Sequence, residues 1–295
     1  MPARRHEVEL ALDARATLGE CPLWHERRKK LYWVDILEKE IHEFDPSSGR
    51  DRSYNVGHFV GCIGIRKKGG LILGLHHTLA QFDFRTKNLR HICRLDGGRR
   101  DIRFNDGKCD PAGRFWAGTM DLDAKPNRGG LYVLDSQRRI RRVLDGVTIS
   151  NGMAWSLDAT TMYYTDSATR EIWAFDYDQR TGTICNRRVA IRIPKRAGLP
   201  DGMTLDAEGM LWVALWGGGR VTRWNPQTGI LLETIRLPVS LVTSCAFGGP
   251  GLGVLFITSA RATLNSASLA REPLAGGLFR VEPGTIGTAN HQFVG

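Results

Sequence analysis

Four residues with side-chain oxygen recur in one sequence slot: Glu20 in TLGECPLW, Asn105 in RFNDGKCD, Asn151 in ISNGMAW and Asp201 in LPDGMTLD. Glu20, Asn151 and Asp201 are each expected immediately before the first strand of a repeating unit. The tripeptides N-G-M and D-G-M put an amide and an acid in the same place, and FNDGKCD puts Asn105 there with glycine close behind. Glycine at such points lets two backbones approach closely. Carboxylates and amide carbonyls are hard oxygen donors, suited to Ca²⁺, Mg²⁺ or Mn²⁺ rather than to a thiolate zinc site. Polar residues also line channels that only hold water, and ordered water can satisfy them. Two acids brought to one axis repel, however, unless a cation or a proton lies between them. That repulsion makes a metal the favoured reading.

The elements that would carry these residues repeat as well. Six short aromatic-rich or apolar strands are expected at LYWVD (31–35), LILGL (71–75), FWAGT (115–119), MYYTD (162–166), LWVAL (211–215) and LFITS (255–259). Their spacing of roughly forty to fifty residues is the period of propeller blades. Cys62 and Ser244 fill the slot in the second and sixth units. Turn signals such as DPAGR (110–114) and LDAEG (205–209) precede the second strand of a unit, and Asp and Gly supply the turn chemistry. The sequence therefore predicts an all-β, six-bladed β-propeller with four-stranded blades, one domain over residues 1–295. HEVELALD (6–13) alternates like a strand but has no partner in the first unit, whereas the last unit is one strand short. Pairing the two closes the ring and removes both free edges. Insertions at 120–130, 192–200 and 258–277 are expected to cover the functional face.

Composition removes other classes. Of 295 residues, 41 are Lys or Arg and 31 Asp or Glu, but the excess lies in short clusters, among them Arg27-Arg28-Lys29-Lys30 and Arg99-Arg100. Basic residues at hairpin tips and edges block edge-to-edge pairing, and no nucleic-acid motif accompanies them. Apolar content of 42% supports a real core, and no run is long enough for a membrane helix. The N-terminus has basic residues without the apolar stretch of a secretory signal. Six scattered cysteines without a C-x-x-C pair read as small buried hydrophobes in a reducing compartment, hence a cytoplasmic protein without disulfides. G-x-S-x-G, H-E-x-x-H, Walker and G-x-G-x-x-G motifs are absent. Cys21 and Cys62 have no local support as nucleophiles. His76 and His77 are expected on opposite faces of a strand, in structural or exposed positions.

Over nearly the whole chain, from about residue 7 to 283, GECPLW, RFNDGKCDPAGRFWAGTM, SNGMAWSLD and PDGMTLDAEGMLWVA resemble the senescence marker protein/regucalcin/gluconolactonase family. The resemblance implies a six-bladed propeller with one divalent metal held by Glu20, Asn151 and Asp201. It implies Asp201 as catalytic acid/base and Arg103 and Asn105 as sugar-binding residues. Asp123, in TMDLDAK, stands where animal members carry a glutamate, one methylene longer. It is the third substrate-binding candidate. The implied activity is hydrolysis of a sugar lactone to its aldonic acid. Ca²⁺ is the first choice of ion, with Zn²⁺, Mn²⁺, Mg²⁺ and Fe²⁺ as alternatives. A small-molecule lactone is the expected partner, with no nucleic acid and no membrane. The alternatives are a metal-dependent esterase or organophosphate hydrolase on the same fold, and a non-catalytic calcium-binding propeller.

Overall fold

The ring of blades closes through the chain's first strand. Glu9–Leu12 pairs antiparallel with Leu278–Val281, Glu9 opposite Arg280, and the Arg280 guanidinium donates to the Glu9 carboxylate at 2.7 Å. The computed structural model describes residues 6–95 and 100–295. Arg99 of the basic cluster, and the N-terminal residues 1–5, lie outside the described residues. Six four-stranded antiparallel sheets result, five built from consecutive strands and the sixth completed by Glu9–Leu12. The expected six-bladed propeller is the observed fold, and the short strand of HEVELALD plays the predicted closing part.

Each blade runs from an inner strand that is apolar nearly throughout to an outer strand that meets water. Val60–Ile65, an inner strand, is buried at every residue, whereas Arg50–Asn55, an outer one, is mostly exposed. A strand covered on both faces needs a continuous apolar run, and one covered on a single face needs only alternation. The expected aromatic-rich strands form the second position of the blades, from Lys30–Asp35 to Val254–Ser259. Trp33, Trp116 and Trp212 of these strands are fully buried. The predicted turns before them do more than reverse the chain. Asp110 accepts from the backbone of Ala112 and Arg114 and from the Trp116 indole at 2.8 Å, and Asp206 does the same for Glu208, Met210 and Trp212 at 2.9 Å. One carboxylate thus ties turn to core, satisfying an indole N–H that burial would otherwise penalise.

At the far ends of the inner strands the C-terminal tail crosses the ring. Phe293 donates to Ile65 and accepts from Lys67, both at 2.8 Å, and Gly287 pairs with Asp206. The insertion at 258–277 holds the helix Ser266–Arg271, whose N-cap Asn265 accepts from Ser268. Three expectations are corrected locally. His76 and His77 lie in the hairpin between Leu71–Leu75 and Thr78–Phe82, not within a strand. Cys93 is half-buried and Cys185 exposed, so only Cys21, Cys62, Cys109 and Cys245 are buried; all six are free. The slot residues lie inside the inner strands rather than before them.

Candidate metal centre

All six inner strands break register at the same place. The shifts fall between Glu20 and Leu23, Val60 and Cys62, Phe104 and Gly107, Ser150 and Met153, Pro200 and Met203, and Val242 and Ser244. A β-bulge leaves an extra residue unpaired and re-aims its side chain. Here the bulges fall on or beside the slot residues of every blade. In the first blade the bulge sets Cys21 at φ +49°, a left-handed conformation that is uncommon for a non-glycine residue. In the fourth and fifth blades glycine stands after the slot residue for want of space rather than for φ. A Cβ on Gly152 would stand 2.5 Å from the Asp201 carbonyl, and one on Gly202 would run into the Ser244 hydroxyl. Neighbouring inner strands therefore touch at the slot, and only glycine permits it.

Asn151 and Asp201 each present one buried oxygen, Oδ1, without a hydrogen-bond partner. Glu20 is buried with its Oε2 accepting from its neighbour Cys21 at 3.0 Å, and the Asp201 carboxyl lies within hydrogen-bonding reach of it. Two ionised carboxylates have no proton to share, so this contact is a hydrogen bond only when one of them is protonated. Arg103, also buried, donates from Nη1 to the Phe104 carbonyl at 3.0 Å and to Asn105 Oδ1 at 2.6 Å, while Asn105 Nδ2 donates to the Ser150 carbonyl at 2.8 Å. Both of these Arg103 bonds use Nη1, and neither uses Nε or Nη2.

Burial dominates the electrostatics. Desolvation, then the charge of Asp106, pushes the Glu20 carboxyl up to about 8. Desolvation, then Glu20 and Asp106, holds Asp201 well above the usual carboxylate range. Burial lowers Arg103 to about 10 against the pull of Glu20 and Asp201. Like charges facing each other in a dry site keep a proton or take up a cation. Among the described residues no three His, Cys, Asp or Glu side chains form a metal cluster. The axial group has two carboxylates, and its third oxygen comes from an amide. Two partnerless oxygens, one from the carboxylate pair and one from the amide, fit a hard divalent cation.

The profile of the SMP-30/Gluconolactonase/LRE-like region matches residues 18–261. The chain belongs to this family. It is 38% identical to regucalcin of Xenopus laevis, covering 98% of this chain and 99% of that one. It is 39% identical to a Bacillus subtilis (strain 168) protein named as sugar lactone lactonase YvrE, with the same coverage. The solved structure of a calcium-binding protein, regucalcin, from Agrobacterium tumefaciens superposes with a TM-score of 0.95 at 26% identity, covering 99% of both chains. Family membership supports a hydrolase acting on lactones.

The structure brings five of the six site candidates into one neighbourhood: Glu20 and Asp201 act on each other and on Arg103, Asn105 bonds Arg103 and the Ser150 carbonyl, and Asn151 stands between Ser150 and Gly152, which packs on the Asp201 backbone. Asp123 stands apart. It is exposed in the loop after Phe115–Asp121, with its carboxylate 3.0 Å from Lys125. Two residues escaped the sequence reading. Asp106, next to Asn105 on the bulge, is buried and raises both axial acids. With Lys108, Ser244 and His291 it lines a cavity of about 20 Å³, room for one water. Its signal was the unbroken N-D pair in FNDGK. Ser167, buried behind Asn151, gave no signal, because its role exists only after the blade has folded.

Proposed function

We propose that this member of the family hydrolyses a sugar lactone to the aldonic acid with one divalent metal at Glu20, Asn151 and Asp201. The observation that carries the reading is the pair of partnerless oxygens, Asn151 Oδ1 and Asp201 Oδ1, facing a buried arginine and amide. A non-catalytic propeller has no use for a guanidinium beside such a pair. The names of relatives, a sugar lactone lactonase and a calcium-binding regucalcin, point the same way. The metal, for which Ca²⁺ is the first choice, would supply Lewis-acid polarisation of the lactone carbonyl and a more acidic water.

The chain's own residues do the rest. Arg103, through Nε and Nη2, and Asn105 hold sugar hydroxyls and fix the carbonyl carbon close to the water. Asp201 takes one proton from that water as its oxygen adds to the carbonyl carbon. The bond from that carbon to the ring oxygen then breaks, and Asp201 returns the proton to the departing oxygen. At neutral pH the new carboxylic acid ionises, so each turnover releases one proton. A cation bound beside Asp201 would favour its ionised form, which accepts the proton. Asp123 is proposed as a rim contact to the substrate, reached from the loop. The unit is one domain over residues 1–295, and the free cysteines fit a reducing, cytoplasmic setting.

Proton release from hexono- and pentonolactones, followed with a pH dye after chelation and after adding back each ion, tests the reading. Turnover that vanishes on chelation and returns with a divalent ion supports it. Calcium binding without any proton release would reduce the protein to a binding propeller.

A further inference from the structure

Four of the chain's eight histidines gather at one place away from the axis. His58 precedes the inner strand Val60–Ile65, His76 and His77 form the hairpin between Leu71–Leu75 and Thr78–Phe82, and His91 and Arg94 lie on the outer strand Leu89–Arg94. Together they line a cavity of about 440 Å³. The His58 and His91 rings are 6.1 Å apart, edge to face, and those of His76 and His77 4.8 Å. All these residues sit at the end of the second blade from which its inner strand starts, so the cavity opens on the face that carries the axial centre. One backbone bond links the two places. The His76 carbonyl accepts from Phe104, between Arg103 and Asn105, at 2.8 Å.

We propose that this cavity binds an oxyanion of the phosphate class. Among the described residues no carboxylate lines it, whereas Arg94 does, and Arg100 stands next to it. On the following segment the described acid Asp101 is paired with Arg128. His76 Nε2 is 2.9 Å from the Arg100 carbonyl, so that nitrogen carries the proton. His77 Nδ1 is buried without a partner. A metal would need several neutral imidazoles converging, and among the described residues no three ligand side chains do so. The Arg94 guanidinium, the exposed His58 and His91 rings and the unpartnered His77 nitrogen instead suit an acceptor with negative charge.

The surroundings also set the pH response. The groups facing His77 are His76 on its own hairpin, His58 from the preceding loop, Arg94 from the outer strand and Arg100 beyond it. Burial and these positive neighbours lower the His77 pKa. An anion in the cavity offsets that repulsion, so binding takes up protons and tightens as pH falls.

The test is titration of the full protein with inorganic phosphate, following histidine ring protons by NMR, with Arg94→Gln and the exposed-site double variant His58→Asn/His91→Asn alongside. Expected is a saturable shift of the His58 and His91 signals, about fivefold tighter near pH 6 than near pH 7.5. In Arg94→Gln it should be about tenfold weaker. No saturable shift, equal binding by Arg94→Gln, or a response to Zn²⁺ but not to phosphate would each overturn the proposal. Two sources of the phosphate are separated by kinetics. If Arg94→Gln raises KM for a phosphorylated sugar lactone but not for a neutral one, the group belongs to the substrate. If neither KM moves while NMR binding is lost, it belongs to a free anion; both results uphold the site. The binding readout needs no turnover, so it fails or succeeds independently of the lactonase reading.

Discussion

Asn151 donates its Nδ2 to the Ser167 hydroxyl at 2.9 Å, and that hydroxyl in turn donates to the Pro200 carbonyl at 2.6 Å. The chain of donors settles which end of the amide faces the axis. Ser167 has given its proton to Pro200, so it can only accept from Asn151, and Oδ1 is left pointing inward without a partner.

Removing that support should loosen the centre without unfolding the blade. Ser167→Ala frees the amide to turn, and loss of a residue that orients a ligand costs about tenfold to a hundredfold in metal affinity. Calorimetry with Ca²⁺ and Mn²⁺ on the variant and the parent checks this. Unchanged affinity would show that the amide holds its orientation by other means, or that Asn151 is not a ligand.

Asp201→Asn is expected to fold and to lose about a hundredfold or more in kcat, the scale of general acid–base catalysis. The same change removes one of two buried acids that repel each other. The metal-free variant should therefore melt at or above the temperature of the metal-free parent at about pH 8. Lost activity together with raised stability separates a chemical role from simple unfolding. Near-normal lactone turnover would remove Asp201 from the mechanism.

Without metal, the protein should grow less stable as pH rises from about 4.5 to about 8. Over that window Glu20 is ionised in the unfolded chain, while the buried carboxyl keeps its proton up to about 8. Asp201 is shifted in the same direction. The folded state then binds more protons, so stability falls with rising pH. A cation replaces the shared proton, and its stabilisation should be greatest at the alkaline end. Melting curves of chelated protein with and without Ca²⁺, at about pH 6 and about pH 8.5, should show a larger metal effect at the higher value, by about 5 °C or more. Glu20→Gln should flatten the difference. An equal metal effect at both values would contradict the raised acids.

The architecture was readable because each blade repeats one pattern of strands, turns and slot residue, and because the unpaired HEVELALD strand had one place to go. The axial set was readable for the same reason: Glu20, Asn151 and Asp201 occupy equivalent positions in separate repeats. What sequence position could not convey was direction. Bulges, which depend on how neighbouring strands pair, put the slot residues inside their strands and turned Asp106 into the same buried field. Asp123 shows the opposite case, since a position two residues beyond buried Asp121 lies in an exposed loop with its carboxylate paired to Lys125. Ser167 acts through contacts between blades that no single repeat contains.

Close contact between blades gives a last test of the geometry. Gly152 sits against the Asp201 backbone, where an added Cβ would approach the carbonyl oxygen to 2.5 Å and the Met203 amide nitrogen to 2.8 Å. Both atoms belong to the neighbouring inner strand and cannot swing aside as a flexible side chain would. Gly152→Ala must therefore push the fourth and fifth blades apart where Asn151 and Asp201 meet. Overpacking of this kind costs about 1–3 kcal/mol, so Tm should fall by several degrees. Because the displaced backbone carries Asp201, metal affinity should fall with it. Gly146→Ala, in the outer strand Ile140–Val147 where a Cβ would meet nothing within 4 Å but where φ is +66°, serves as the comparison. It should lose some stability through backbone strain and leave metal affinity intact. If the two substitutions weaken the metal equally, the contact between the two blades is not what sets the site.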